Sequence, residues 1–326
     1  MIITRTPLRI SIGGGGTDLP SYYTRFGGCV VSAAISQYVF VSLNRMFRKG
    51  YLLKYSALEH VNTIDEIQHP IFREVLRRHN GQDSLELTSI ADVPAGTGLG
   101  SSGTFTVGLL KAVYADKHEF VSASALAEEA CDIEINVLGQ AVGKQDQYIA
   151  AYGGLTCFDF RLDGSVGVQR LAISTDTLID LEQNLLMFFT GYSRNAIEVL
   201  SDQKQRSIEG DKVILDNLHH TKQLGLAAKE ALERGDTAAY AGILREHWEI
   251  KRGRSKGMSN DCIDQWHSVA MANGALGGKL VGAGGGGYLL FYAEHPMRVR
   301  RAMAEQGLRE LRFRFDHDGS TVLVRD

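Results

Sequence analysis

The chain has 326 residues, 44% hydrophobic and 22% charged, with 35 lysines and arginines against 38 aspartates and glutamates. That length and apolar content suit a sizeable core shared between two domains, and a formal charge of -3 gives no overall pull toward nucleic acid or an anionic membrane, so any basic site must be local. Four scattered cysteines, Cys29, Cys131, Cys157 and Cys262, make no C-x-x-C pair, which argues against a zinc knuckle or a disulfide framework and for reduced, buried thiols.

From the N-terminus, Arg5 interrupts before an apolar run of signal-peptide length can form. Cys29 to Leu43, the most apolar stretch, is too short for a membrane helix and is broken by Ser32, Ser36, Gln37 and Ser42, so the expected location is the cytoplasm. Strands are predicted over 8–12, over 29–45 as a long β-rich pair, and over 85–90 leading to Pro94. Phe105, Leu109, Ala112 and Val113 mark a helix from Ser102, and Leu126, Ala130, Ile133 and Val137 mark a second. Asn184 to Thr190 is predicted to be a buried strand, followed by helices within about 195–250 and 260–274. Strands at 279–283 and 288–293, a helix after Pro296, and a final strand with alternating Leu311, Phe313 and Phe315 before an Asp318-Gly319 turn complete an α+β chain with a domain boundary near 180. His219 and His220 point about 100° apart on a helix and are expected to be surface residues rather than metal ligands.

The 36 glycines exceed the usual ~7% and gather in three places: Gly13 to Gly16, Gly96 to Gly103, and Gly282 to Gly287. Lying between apolar segments, such runs can offer bare backbone amides to an anion. Gly98-x-Gly100-x-x-Gly103 matches the dinucleotide fingerprint as a string, but Val93-Pro94-Ala95 stands where a strand should enter the first glycine. A Walker string is absent too, because Gly278-Lys279 is followed by Leu280 rather than a hydroxyl residue. What remains is a glycine turn feeding a helix N-terminus, with Ser101 and Ser102 supplying hydroxyls that cap the helix, bind phosphate or hold a metal.

Pro94-Ala95-Gly96-Thr97-Gly98-Leu99-Gly100-Ser101-Ser102-Gly103 resembles the nucleotide motif of the GHMP kinases, named for galactokinase, homoserine kinase, mevalonate kinase and phosphomevalonate kinase. Two further motifs of that family follow in order, Thr6 to Asp18 and Lys279 to Gly287, so the resemblance spans essentially the whole chain. It implies an N-terminal domain like that of a ribosomal S5 protein over 1–180, a ferredoxin-like C-terminal domain over 181–326, and ATP and acceptor bound between them. Within the family, T-P-L-R-I-S-x-x-G-G-G-T-D-L-P, Thr190 to Arg194 and Gly277-Gly278-Lys279 most resemble kinases of D-glycero-D-manno-heptose 7-phosphate.

The resemblance also implies roles. Asp146, in Gly143 to Gln147, takes the place of the catalytic base, with Arg9 beside it to orient the carboxylate and offset phosphoryl charge. Pro94, Gly96, Gly98, Leu99, Gly100, Ser101 and Ser102 would cradle ATP, and Ser102 with Glu134 would hold Mg2+. Glu134 lies at the edge of its helix's apolar stripe, where the alternative is a surface ion pair. Gly15, Gly16, Thr17, Asp18, Gln145, Gly284 and Gly285 would meet the sugar. The Gly14 to Asp18 run replaces the acidic-histidine pair of galactokinase, which makes galactose a poorer expectation. A phosphorylated acceptor needs a second set of cations, and Arg194 and Lys251 are the candidates, each of which could instead be solvated charge. The expected activity is transfer of the γ-phosphoryl group of ATP to the anomeric hydroxyl of the heptose 7-phosphate. Its alternatives are a fucose- or galactose-type kinase, an ATP-dependent decarboxylase, or a non-catalytic sensor of sugar and nucleotide. The expected partners are small molecules alone, with a homodimer left open.

Overall fold

The computed structural model describes residues 1–79, 84–192, 196–254 and 257–325. In chain order the first elements are β1 (Ile2–Gly13), α1 (Pro20–Phe26), β2 (Gly28–Arg45), β3 (Tyr51–Lys54), β4 (Leu58–Val61), α2 (Pro70–Arg78), β5 (Leu85–Ala91) and α3 (Ser101–Asp116). Then come α4 (Ala123–Cys131), a π-helical turn (Asp132–Val137), α5 (Gln145–Tyr152), β6 (Leu155–Phe160), β7 (Val166–Arg170), α6 (Thr175–Asn184), β8 (Leu185–Phe189) and α7 (Ala196–Ile208). The last are α8 (Lys212–Glu233), α9 (Thr237–Arg252), α10 (Asp261–Ala272), β9 (Gly277–Leu280), β10 (Tyr288–Tyr292), α11 (Pro296–Glu305), β11 (Arg309–Glu310) and β12 (Thr321–Arg325).

Local chemistry sets many of these boundaries. Pro20, Pro70 and Pro296 open α1, α2 and α11, where the missing amide hydrogen costs no helical bond. Side-chain oxygens of Asp211, Asp236 and Asn260 cap α8, α9 and α10.

Two sheets organise the chain. The first runs β12-β1-β2-β5-β3-β4, with β6 on β2 and β7 on β6; the second is the antiparallel set β11-β8-β10-β9. The predicted pair over 29–45 is a single 18-residue strand. Its first part, Gly28–Ala33, pairs with β6 and its last part, Val39–Arg45, with β5, while β1 runs along its other edge. The β1 register steps from Pro7↔Tyr38 to Leu8↔Ile35, at a proline that has no amide to give the ladder. Ser36, skipped by that step, pairs instead with Arg314: its amide donates to the Arg314 carbonyl, and its Oγ accepts from the Arg314 amide.

This pairing corrects the expectation of a strand over Leu311 to Phe315. The ladder with β8 is limited to Arg309–Glu310, with one further bond from the Leu311 amide to the Met187 carbonyl, and Phe315 bridges Ile35 outside any strand. The alternating apolar residues belong to a segment crossing from the second sheet to the first, where β12 then joins β1. A cut near 180 falls inside α6, just before the second sheet begins at Leu185.

Core packing splits the second sheet by face: Met187 and Leu290 turn toward the core of the first sheet, and Phe188 and Phe291 toward a separate one. Leu8, Ile10, Ile12, Val30 and Val31 belong to one large cluster, and Leu186, Phe188, Trp248, Leu280 and Phe291 to a second. Each fully buried side chain of this size stabilises by about 1.5–3 kcal/mol. Helix α8 lies across β1 so closely that a Cβ on Gly13 would stand 3.0 Å from the Gly225 Cα. That contact brings the C-terminal helices against the Gly13 to Gly16 turn.

Candidate active site

A cavity of about 680 Å³ opens where β1, the turn after it, the 94–102 loop, the start of α5, the end of α9 and β9 converge. A concavity of this size accommodates a nucleotide and a small acceptor.

The glycine loop forms one wall. Gly96, Gly98 and Gly100 adopt left-handed φ of 74°, 82° and 81°, conformations that L side chains resist. Its path is fixed from β1, where the Arg9 amide donates to the Leu99 carbonyl at 3.0 Å and Arg9 Nη1 donates to the Gly98 carbonyl at 2.5 Å. Arg9 Nε also donates to Asp146 Oδ1 at 2.8 Å, in the first turn of α5. Gly103 permits that approach, since a Cβ there would sit 2.8 Å from the Asp146 Cβ. The last glycine of the string thus serves helix packing. Pro94, Gly96, Gly98, Gly100, Ser101 and Ser102 all line the cavity, whereas the Leu99 side chain is fully buried in the core and does not. Ser101 Oγ is a buried hydroxyl with no partner among the described residues.

Behind Ser102 lies Glu134, on the π turn. The inserted residue of a π turn alters helical spacing and often marks a functional position. The expected edge position becomes a fully buried one. Glu134 Oε1 accepts from the Ser102 hydroxyl and Oε2 accepts from Gln147 Nε2 at 2.7 Å, with no cationic partner among the described residues. Burial raises its pKa to about 7, against the lowering effect of these two bonds. Among the described residues no group of three or more His, Cys, Asp or Glu could hold a metal. A serine hydroxyl backed by a buried, cation-free carboxylate fits Mg2+, which uses one or two protein oxygens and completes its shell with phosphate and water.

The opposite wall receives the turn after β1. Asp18 accepts from the Gly16 amide at 3.0 Å and the Gln145 amide at 3.1 Å, tying the turn to α5. Burial, and then the nearby Asp146 charge, raises the pKa of Asp18. Gly15, Gly16, Asp18 and Gln145 line the cavity, and Gln145 Nε2 donates to Ser32 Oγ. Thr17 does not line it: its hydroxyl donates to the carbonyls of Gly14 and Cys29 at 2.8 and 3.0 Å, inside the fold. Gly284 and Gly285 are also outside the lining. A Cβ on Gly284 would strike Met258 Sδ at 2.1 Å, and the Gly285 amide donates to the Met258 carbonyl. The third glycine run instead packs on the nucleotide-type loop, where a Cβ on Gly287 would lie 2.2 Å from the Thr97 carbonyl oxygen.

Lys251 reaches the cavity, together with Arg254, which the sequence did not single out, and Lys279, which the sequence noted for its motif but not as a phosphate-binding cation. Lys251 Nζ donates to the carbonyls of Leu280 and Gly282 at 2.8 and 2.5 Å. Lys279 Nζ donates to the Ile12 carbonyl at 2.9 Å and to His247 Nδ1 at 3.2 Å. Arg254 donates from Nε to Asn217 and from Nη2 to Thr221, both at 2.8 Å. Among the described residues none of the three has a carboxylate within ion-pair distance. Burial and mutual repulsion push Lys251 well below its ordinary pKa and Lys279 down to about 7; burial takes Arg254 to about 10. Arg194 lies outside the described residues. Ser11, also unforeseen, lines the cavity with a buried hydroxyl that has no partner.

The remaining lining is largely apolar: Val39, Tyr55, His69, Ile71, Val93 and Phe105. His69 makes edge-on ring contacts with Tyr55 and Phe105 at 4.8 and 5.3 Å. Nothing local in the sequence joins these residues, because they come from β2, the β3–β4 turn, α2, the end of β5 and α3. His219 and His220 are apart from the cavity, bonded to Tyr22 and Glu246.

A glycine loop at a helix start, a buried arginine paired with a partly exposed aspartate, and a cavity-lining serine hydroxyl backed by a carboxylate outside the lining define a phosphoryl-transfer class of site. The sequence matches the GHMP kinases N terminal domain over residues 62–154 and the GHMP kinases C terminal domain over residues 228–308. It is 31% identical over 322 residues to the D-glycero-alpha-D-manno-heptose 7-phosphate kinase of Campylobacter jejuni, covering 94% of each chain. Over 318 residues it is 26% identical to the bifunctional fucokinase/GDP-fucose pyrophosphorylase of Arabidopsis thaliana, covering 90% of this chain and 30% of that one. A crystal structure of a D-glycero-D-manno-heptose 1-phosphate kinase from Bacteroides thetaiotaomicron superposes with a TM-score of 0.81 at 26% identity, covering 99% of each chain. The chain belongs to the GHMP kinases and is an ATP-dependent phosphotransferase of their sugar-kinase branch, with the α+β fold of that family. Among the described residues no helix is long and apolar enough to cross a membrane.

Proposed function

We propose that this kinase transfers the γ-phosphoryl group of ATP to the anomeric hydroxyl of D-glycero-D-manno-heptose 7-phosphate, giving the 1,7-bisphosphate. The observation that carries the acceptor assignment is a cavity wall with three buried basic side chains, none of which has a carboxylate within ion-pair distance among the described residues, which suits a substrate bringing its own dianionic phosphate. Similarity along 94% of a heptose 7-phosphate kinase points the same way.

On this proposal Asp146 accepts the proton of the acceptor hydroxyl. The hydroxyl oxygen forms a bond to the γ-phosphorus as the bond to the β–γ bridging oxygen breaks, releasing ADP. Arg9 holds Asp146 in place and faces the charge that develops on the transferred group. Loop amides and the α3 N-terminus cradle the phosphates, where the helix dipole favours negative charge. Ser102 and Glu134 would hold Mg2+, whose chemistry is to neutralise phosphate charge. Tyr55, His69, Ile71 and Phe105 suit the flat, apolar faces of a nucleobase. Asp18, Gln145 and the Gly15–Gly16 turn, which line the cavity, would meet the sugar hydroxyls.

The test is an ADP-release assay with heptose 7-phosphate, heptose 1-phosphate, unphosphorylated heptose, fucose, galactose and mevalonate. Heptose 7-phosphate should give the highest kcat/KM. Preference for any other member of the panel would replace the acceptor assignment.

A further inference from the structure

We infer that Ser11, Arg254 and Lys279 form a subsite for a phosphomonoester dianion, the phosphate that the acceptor already carries. This inference rests on the heptose 7-phosphate reading and deepens it by naming which groups make the contact.

Three features of the cavity support the assignment. First, Ser11 shares with Arg9 the cavity face of β1, two residues and so ~7 Å further along the strand. A sugar whose anomeric oxygen sits by Asp146 can span that distance with its carbon chain. Ser11 is 8% exposed, yet its hydroxyl has no hydrogen-bond partner among the described residues, and a Cβ on Gly15 would come 2.8 Å from that oxygen. A buried hydroxyl left unpaired is costly, which points to a ligand atom as its partner.

Second, Arg254 stands beside the same turn. A Cβ on Gly16 would lie 2.9 Å from its Nη1, which among the described residues makes only a long 3.4 Å contact to the Gly15 carbonyl. Asn217 and Thr221, both on α8, hold the other face of the guanidinium, so it is oriented before any ligand arrives. Donors in a planar fork match phosphate oxygens. Lys279 enters from β9, anchored by the Ile12 carbonyl next to Ser11. His247 Nδ1 accepts from it, and burial and the adjoining cations hold that imidazole well below its ordinary pKa and therefore neutral.

Third, Lys251 has a different function from its neighbours. Two of its three N–H groups are engaged by the Leu280 and Gly282 carbonyls, and a Cβ on Gly282 would lie 2.5 Å from the Gly98 Cα. Lys251 is therefore a positioning residue that braces the two glycine loops against each other, and the phosphate contacts belong to the other two cations.

The experiment measures kcat/KM for heptose 7-phosphate and for unphosphorylated heptose in the wild type, Ser11→Ala, Arg254→Gln and Lys279→Met. Inorganic phosphate serves as a competitor against unphosphorylated heptose. Wild type should strongly prefer the phosphorylated sugar, each variant should lower that preference by about tenfold or more, and phosphate inhibition should weaken in parallel. Equal losses with both sugars would overturn the subsite in favour of a structural role. Retention of the wild-type preference by all three variants would overturn the subsite while the heptose 7-phosphate reading stands. No preference in the wild type would remove that reading and the subsite with it. If Arg254→Gln does not fold, Ser11→Ala decides, because no protein partner is lost with its hydroxyl.

Discussion

The two walls of the cavity are built on opposite electrostatic plans. Around the helix start, Arg9 is paired with Asp146, and Glu134 is held by Ser102 and Gln147. Across the cavity, the hydrogen-bond partners of Lys251, Arg254 and Lys279 among the described residues are carbonyls, an amide, a hydroxyl and a neutral imidazole, and Asp18 acts on Arg254 without forming an ion pair. The first wall holds its reacting geometry before substrate arrives, whereas the second has, among the described residues, no carboxylate ion-paired to its three basic side chains. Changes to the first should therefore act on turnover and metal use, and changes to the second on the acceptor.

The largest effect expected on the first wall is from Asp146→Asn. It should lower kcat by about 10²–10⁴-fold and leave the ATP KM nearly unchanged, read in a coupled ADP assay. Activity within a few-fold of wild type would remove Asp146 from the chemistry. Ser102→Ala and Glu134→Gln should each raise the Mg2+ concentration for half-maximal rate by about tenfold or more. An unchanged Mg2+ dependence in both rejects them as ligands.

A smaller effect sharpens the second wall. Lys279, with a pKa lowered to about 7, loses its charge in the free enzyme as pH rises through that value. Arg9 on β1, Arg254 after α9, Lys251 and His247 on α9 surround it, and the cations among them favour the neutral amine. An anion favours the charged form, so the KM for a phosphorylated acceptor should climb several-fold from pH 7 to 9 in the wild type. In Lys279→Met that climb should flatten, and an equal climb in both proteins would assign the titration elsewhere. The smallest effect belongs to Gly100→Ala. Its φ of +81° and a Cβ 3.2 Å from the Arg9 Cγ predict about 1–2 kcal/mol of strain, a loss of a few degrees in Tm measured by calorimetry.

Much of this arrangement was legible in the sequence, because local spacing carries it. The glycine loop opens a helix, Asp146 begins another, and a buried strand starts close to the predicted Asn184. What escaped depends on pairing between distant segments. Neither the long β2 with its two partners nor the crossing of Leu311 to Phe315 toward Ser36 leaves a mark in periodicity. Arg254 sits in a run of basic residues that reads as solvated charge, and Lys279 looked like a failed Walker lysine; only burial against Ile12 and Thr221 distinguishes them. The Gly282 to Gly287 run was read as amides for a ligand, yet Gly284 to Gly287 pack on Met258, Tyr192 and Thr97. A glycine that admits an anion and one that admits another backbone are the same letter.

The central claim, a phosphorylated heptose receiving a second phosphate at its anomeric carbon, is tested most directly by ³¹P NMR of the product formed from ATP and D-glycero-D-manno-heptose 7-phosphate. The account predicts a new glycosyl phosphate signal coupled to the anomeric proton, growing in step with ADP while the 7-phosphate signal persists. A new phosphate on any other carbon, or ADP formation with no sugar bisphosphate, would contradict it.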